Sequence, residues 1–265
     1  MAAPLRRVMT RTMVGPPLIA EPFDRTARRR QRARATGAAE FLRLAIAADL
    51  VDRVAALERC FGTVLDIGAT GVTGADFTVA LEPSPARAVT LPHAVAADED
   101  RLPFADASID LIASAAALHG VNDLPGALIQ ARRALRPGGL FVAGFFGGTS
   151  LSEVRADLLA AESELTGRAA ARIAPMVDID MAAGLLQRAG FADPVAEVDT
   201  IVVRYDNLFA LLRDLRAMGE GNILQSRMPL RRDVLADSAR RFAMRRVDGR
   251  IAVTVQVIYM TGWRR

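Results

Sequence analysis

Not one lysine occurs among the 265 residues: all 34 basic side chains are arginines, set against 30 acids and two histidines. A single cysteine, Cys60, leaves no disulfide framework and no thiolate metal site. No uninterrupted apolar run approaches the roughly 18 residues that span a bilayer. The N-terminus also lacks the continuous apolar core of a secretory signal. Aromatics are sparse, with one tryptophan and two tyrosines, yet hydrophobic residues make up 51% of the chain. That composition is enough to bury a sizeable core and fits one domain with decoration.

The net charge of +4 is unevenly placed: residues 1–39 hold nine arginines against Glu21 and Asp24, leaving −3 for the remainder. The high isoelectric point therefore belongs to the N-terminal arm, and the body is not a nucleic-acid surface on charge grounds. An arginine-rich, acid-poor start resembles a mitochondrial transit segment. Lysine is missing from the body as well, however, which fits coding bias in a GC-rich bacterium, so the bacterial cytoplasm is expected ahead of the mitochondrial matrix. Residues 1–22, with Pro4, Pro16, Pro17 and Pro22, show no sustained period and are expected to be a poorly ordered basic arm, with residues 23–265 as a single domain. Residues 23–34 are charged densely enough for a helix with an arginine face. The favoured reading of that helix is a solvated arm; the alternative is a lid docked over a ligand pocket or against a partner.

Residues 102–148 carry the clearest local pattern. Leu124, Ala127, Leu128, Ala131, Ala134 and Leu135 recur at three- and four-residue steps, with Gln130, Arg132, Arg133 and Arg136 on the other face, which predicts a helix. Asn122 or Asp123 can cap it, Pro125 suits the first turn, and Pro137, Gly138 and Gly139 stop it. Apolar runs at residues 109–117 and 140–146 flank it, as in a β-α-β unit whose parallel strands are covered on both faces. The fold class is α/β. Around this unit the pattern predicts one or two helices over 38–60, strands at 63–67, 77–81 and 93–97, and a helix launched by a capping box at Ser150-Leu151-Ser152-Glu153. A further helix carries Met181 to Ala189, and two late strands run over 201–205 and 253–260. A helical insertion over about 207–246 separates those strands.

The order Asp98-Glu99-Asp100, Leu102-Pro103-Phe104, Asp110-Leu111-Ile112, Leu118-His119, Val121-Asn122-Asp123-Leu124-Pro125 and Leu135-Arg136-Pro137-Gly138-Gly139 resembles the second half of a class I S-adenosylmethionine (SAM) methyltransferase domain. Phe146-Gly147-Gly148, Ala217-Met218-Gly219-Glu220 with Asn222, and Tyr259-Met260-Thr261-Gly262-Trp263 narrow the resemblance. They are similar to the methyltransferase-like assembly factors of respiratory complex I and their alphaproteobacterial relatives, and to the malonyl carrier-protein methyltransferases of biotin synthesis. The resemblance implies a Rossmann-like, doubly wound, mostly parallel sheet and a SAM pocket at the carboxyl ends of its strands. By position, that pocket would use Asp66 with Gly68 and Gly71, Glu82 for the ribose, and Asp98 with the Glu99 backbone for adenine. His119 stands where relatives face the donor methyl or the acceptor, a candidate general base. Gly120 replaces an aromatic common in relatives.

The first motif departs from the family. Thr70 and Val72 stand where glycines are expected, and the step from Gly68 to Phe77 is too short for a crossover helix, which in parallel pairs takes a dozen or more residues. SAM binding is accordingly expected to be weak or lost. The two histidines, His93 and His119, fall at opposite ends of neighbouring strands and supply no iron site of the two-histidine, one-carboxylate kind. Three functions follow: methyl transfer to a small-molecule or protein acceptor, modification or chaperoning of a complex I subunit, or a non-catalytic role with a degenerate pocket. Deleting residues 1–22 is expected to move the melting temperature by no more than about 2 °C. Loss of cooperative unfolding on that deletion would instead make the arm part of the core.

Overall fold

The computed structural model describes residues 21–37, 39–68, 70–71 and 75–265. The expectation for the arm before Glu21 and the reading of Val72 lie outside these residues. Seven strands form one sheet in the order β3-β2-β1-β4-β5-β7-β6, where β1 is Phe61–Ile67, β2 Ala75–Leu81, β3 Ala94–Val95, β4 Ile109–Ala115, β5 Leu135–Gly147, β6 Ala192–Tyr205 and β7 Ile251–Trp263. The first five pair in parallel and β7 runs antiparallel between β5 and β6. This is the doubly wound architecture expected.

Amphipathic helices cover both faces. On one face α2 (Phe41–Ala55) buries Leu42, Ile46, Leu50 and Val54 against Val64, Leu111, Ala113 and Val142. On the other, α4 (Leu124–Ala134) and α6 (Ile179–Ala189) bury Leu128, Ala131, Leu185 and Leu186 against Leu65, Ile112, Phe141 and Phe145. The alternation of chain above and below the sheet brings the carboxyl ends of β1, β2, β3 and β4 to one edge, where doubly wound folds bind ligands. Beyond the sheet, α5 (Ser152–Thr166), α7 (Leu208–Met218) and α8 (Arg232–Met244) enclose a third core around Val154, Phe242, Ile251 and Val253. Two of these helices, α7 and α8, are the expected insertion between β6 and β7.

Several local readings shift. Helix α4 stops at Ala134, ahead of the expected Pro-Gly-Gly stop; residues 136–139 bulge at the start of β5, unpaired with β4 between Leu135↔Ile109 and Leu140↔Leu111, and Gly138 takes φ +76°. Ser150 does not form a capping box: its Oγ donates to the Gly147 carbonyl at 2.7 Å, Leu151 precedes α5 with φ +58°, and the Glu153 carboxylate accepts from Thr254 instead. Asp123 is the N-cap of α4, accepting from the Gly126 amide at 2.8 Å, while Asn122 faces elsewhere. The third strand is shorter than its apolar run, so Asp98 lies in the loop beyond it.

Strands β1 and β2 are parallel neighbours in the register Phe61↔Ala75 to Ile67↔Leu81, and β2 begins at Ala75 rather than Phe77. Only residues 68–74 join them, too few for a crossover helix. The consequence shows on this side of the sheet: Phe77 is 46% exposed, its ring 5.0 Å from that of His93. Elsewhere the layers touch closely. A Cβ on Gly144 would lie 2.6 Å from Ile46 Cγ2 and 2.8 Å from Tyr259 Cε1. Gly144→Ala is therefore expected to destabilise the fold by about 1–3 kcal/mol, read as a lower urea midpoint at unchanged slope; an unchanged midpoint would show that α2 does not pack this tightly on β5.

Candidate functional site

The site is built from acids at the carboxyl edge of the sheet. Asp66, near the end of β1, orders the following turn: its carboxylate accepts from the amides of Thr70 at 2.7 Å and Gly71 at 3.3 Å. Gly68 has φ +89°, and a Cβ there would come within 2.2 Å of the Ala115 carbonyl, so only glycine lets β1 turn beside β4. Glu82 follows β2 directly, and Asp98, Glu99 and Asp100 follow β3; all four are buried. The structure thus brings together the sequence-predicted residues Asp66, Gly68, Gly71, Glu82, Asp98 and Glu99 at one edge. The Glu99 side chain is buried at this edge as well.

A row of buried carboxylates cannot stand uncompensated, because each loses hydration and repels its neighbours. The compensation comes from α1 (Arg25–Arg34). Its arginines at 25, 28, 29 and 32 share one helix face and reach the acids in turn. Arg25 donates to Asp100 at 2.6 and 2.8 Å and to Asp98 at 3.2 Å, and Arg29 to Asp98 at 2.7 Å. Arg28 makes a two-pronged contact with Glu99 at 2.5 and 2.6 Å and a third bond to the Ala117 carbonyl at 2.7 Å. Arg32 donates to Glu82 at 2.7 Å. The reading of residues 23–34 as a solvated arm is thereby corrected: the helix docks over the pocket, the lid alternative.

Both ends of α1 are tied down. Phe23 is buried, and its backbone N–H and carbonyl are both engaged by the Asn122 side chain, at 2.8 and 3.1 Å. The Asp24 amide donates to the Ile223 carbonyl at 2.7 Å, and at the far end the Thr36 amide donates to the Ala217 carbonyl at 3.0 Å. Asn122, read from sequence as a helix cap, is a clasp for the lid. Three glycines make room for the helix. A Cβ on Gly120 would meet Arg28 Nε at 3.0 Å, one on Gly219 the Gln31 carbonyl at 3.2 Å, and one on Gly221 the Gln31 side chain at 2.6 Å.

His119 sits in the 3-10 turn Leu118–Gly120, with Nε2 2.8 Å from Glu220 Oε2 and its ring 4.9 Å from that of Phe146. Burial by itself pushes the Glu220 carboxyl up, but His119, Arg32 and Arg28 outweigh it and hold the group below the usual glutamate range. An ionised carboxylate only accepts, so Nε2 carries the proton and Nδ1, buried with no hydrogen-bond partner among the described residues, keeps a lone pair or a second proton. His119 divides two spaces. Toward α1, the gap beside Arg28, Arg32 and Gly120 is about 10 Å³, room for one water at most. Away from α1 lies a cavity of about 420 Å³ lined by Phe146, Leu151, Leu158, Leu215, Met228 and Leu235, among others, with Glu220 and Asn222 at its polar end.

The sequence reading left Arg25, Arg28, Arg29, Arg32, Asp100 and Glu220 without assigned roles. A signal was there for the arginines: steps of three, four and seven along a helix, matched by an Asp-Glu-Asp run downstream. His93 is not part of the site and packs on Phe77.

The fold and the strand-edge site define a methyltransferase-fold protein, and residues 53–143 match a family model described as a methyltransferase domain. The chain belongs to the family of the mitochondrial arginine-hydroxylase NDUFAF5: it is 33% identical over 264 residues to the Danio rerio protein of that name, covering 91% of this chain and 82% of that one. It is also 37% identical over 174 residues to a malonyl-[acyl-carrier protein] O-methyltransferase of Methylovorus sp. (strain MP688), across 65% of this chain and 57% of the relative. Among solved structures, the YcgJ protein of Bacillus subtilis superposes with a TM-score of 0.55 at 13% identity, over 82% of this chain and 99% of that one, which shows the shared fold.

The depressed Glu220 carboxyl has a consequence for stability. Its ionised form is favoured by folding, so its contribution is present above the ordinary glutamate pKa of about 4.3 and is lost as the pH falls through the lower folded value. Thermal melts between pH 7 and pH 3 are expected to show Glu220→Gln below the parent at neutral pH, with the gap closing in acid. A gap that stays constant with pH would mean that Glu220 is not ionised against His119.

Proposed function

We propose that this protein is a SAM-dependent, methyltransferase-type factor that holds its donor at the carboxyl edge of β1, β2 and β3 and acts on an acceptor presented from the cavity beyond His119. The observation that carries this reading is the placement of three buried acids, Asp66, Glu82 and Asp98, at or just beyond the ends of successive strands around a glycine turn that lets backbone approach backbone. Their chemistry fits the group: Glu82 offers a carboxylate to a ribose diol, Asp98 one to an adenine amine, and the Asp66 turn shapes the floor. Bound there, SAM supplies an activated methyl group. The chain's own part is to orient donor and acceptor and to exclude water. His119, oriented by Glu220, can hold a proton released by an acceptor.

Family membership favours a second reading of the acceptor. Relatives are named arginine-hydroxylase, and in this chain four arginine side chains already sit on the acid row. A protein side chain, on a subunit of respiratory complex I, is the acceptor this reading names. Deleting the gene in the source organism should then lower membrane NADH:quinone activity; unchanged complex I content would leave the small-molecule acceptor.

The donor site is tested by calorimetry with S-adenosylhomocysteine. The parent is expected to bind more weakly than about 100 μM, near −5.5 kcal/mol. Asp66→Ala, which removes the acceptor for the Thr70 and Gly71 amides without removing any partner of α1, should weaken binding by about 1–3 kcal/mol. Equal affinity in variant and parent would overturn the placement of the donor.

A further inference from the structure

We propose that α1 is an arginine plug: the helix and the adenosyl donor compete for one set of carboxylates, and the donor site opens only when α1 leaves it. The inference rests on the donor-site reading above and concerns how that site is regulated. Three independent observations carry it.

The first is identity of partners. Glu82 and Asp98, the acids placed for ribose and adenine, are the acids that Arg32, Arg25 and Arg29 occupy. Beside His119, too, Arg28 and Arg32 leave a gap of only about 10 Å³, room for one water at most. Donor and docked helix cannot both hold these carboxylates.

The second is how α1 is held. The helix contributes no buried residue to the core. It is retained over the pocket by ion pairs, whose Coulombic gain is largely offset by desolvation of both partners. A ligand that hydrogen-bonds Glu82 and Asp98 replaces what α1 gives those two acids, and undocking opens Glu99 and Asp100 to water. Undocking also exposes no apolar helix face to water, so the helix can leave while Phe23 and Thr36, on either side of it, keep their own contacts as anchors. Binding to the anchored arrangement keeps the plug close to the pocket after it has opened.

The third is the cradle. Gly120, Gly219 and Gly221 come from two separate loops, and each lacks a side chain where a Cβ would meet Arg28 or Gln31. The pocket is shaped to receive this helix, and the docking is a built feature of the fold.

The test uses S-adenosylhomocysteine as the probe on the full chain, on Arg28→Gln/Arg32→Gln, and on Gly120→Leu, which keeps every arginine and acid and sets its side chain against Arg28 and Ile223. Calorimetry gives the affinity of each. Limited trypsin digestion with mass spectrometry reads cleavage within Arg25–Arg34, and thermal melts establish that each variant is folded. The proposal expects both variants to bind the probe at least tenfold tighter than the parent, and saturating probe to speed cleavage of α1 in the parent severalfold. Because the parent's digestion needs no substitution, a variant that fails to fold still leaves a decisive reading. Equal affinity in all three chains, with α1 still protected when the probe is bound, would overturn the plug and leave the donor site standing. No binding to any chain, the undocked variants included, would overturn both.

Discussion

A row of carboxylates at the open edge of a parallel sheet needs positive charge or hydrogen-bond donors, and most of this protein's unusual features answer that requirement. Glu82, Asp98, Glu99 and Asp100 are drawn together because each follows a strand end and strands β2 and β3 are neighbours. Left bare, they would be partly protonated or would draw water into the fold. A helix with arginines at 25, 28, 29 and 32 satisfies them without adding any apolar area. From this follow the buried Phe23 clasp, the Asn122 side chain turned away from capping, and the glycines at 120, 219 and 221.

The short link between β1 and β2 bears on the same edge. In a doubly wound sheet a crossover helix brings amide groups and a dipole to the ligand at this position. Here seven residues join the strands, and the Asp66 carboxylate organises the turn by accepting the Thr70 and Gly71 amides. Those amides therefore serve the protein's own acid, and α1 covers the edge from the other side. The low donor affinity expected for the parent has two separable causes, a reduced amide cradle and a plugged pocket. Only the second is reversible.

The cavity beyond His119 is different in character: its volume is about 420 Å³, and side chains of α5, α7, α8 and the loops between them, apolar in the main, line it together with Arg172, Arg216, Arg227 and Glu220. Arg28 and Arg32 lie on the other side of the same histidine, and both help hold Glu220 ionised.

Much of this was legible in the sequence. The α/β class, the β-α-β unit over 102–148, the short first crossover, the insertion between the last strands and the strand-end acids all follow from local periodicity, turn residues and chain length, which act over a few residues and leave a direct trace. Tertiary pairing decided the rest. Ser150 and Glu153 form bonds to β5 and β7 instead of capping α5. Whether residues 23–34 were a solvated arm or a lid could not be read locally, since a charged helix face looks the same in water as against acids 50 to 75 residues away. Sequence fixes the spacing of those arginines; only the folded sheet, by gathering acids from two separate loops, supplies the partners that give the spacing a purpose.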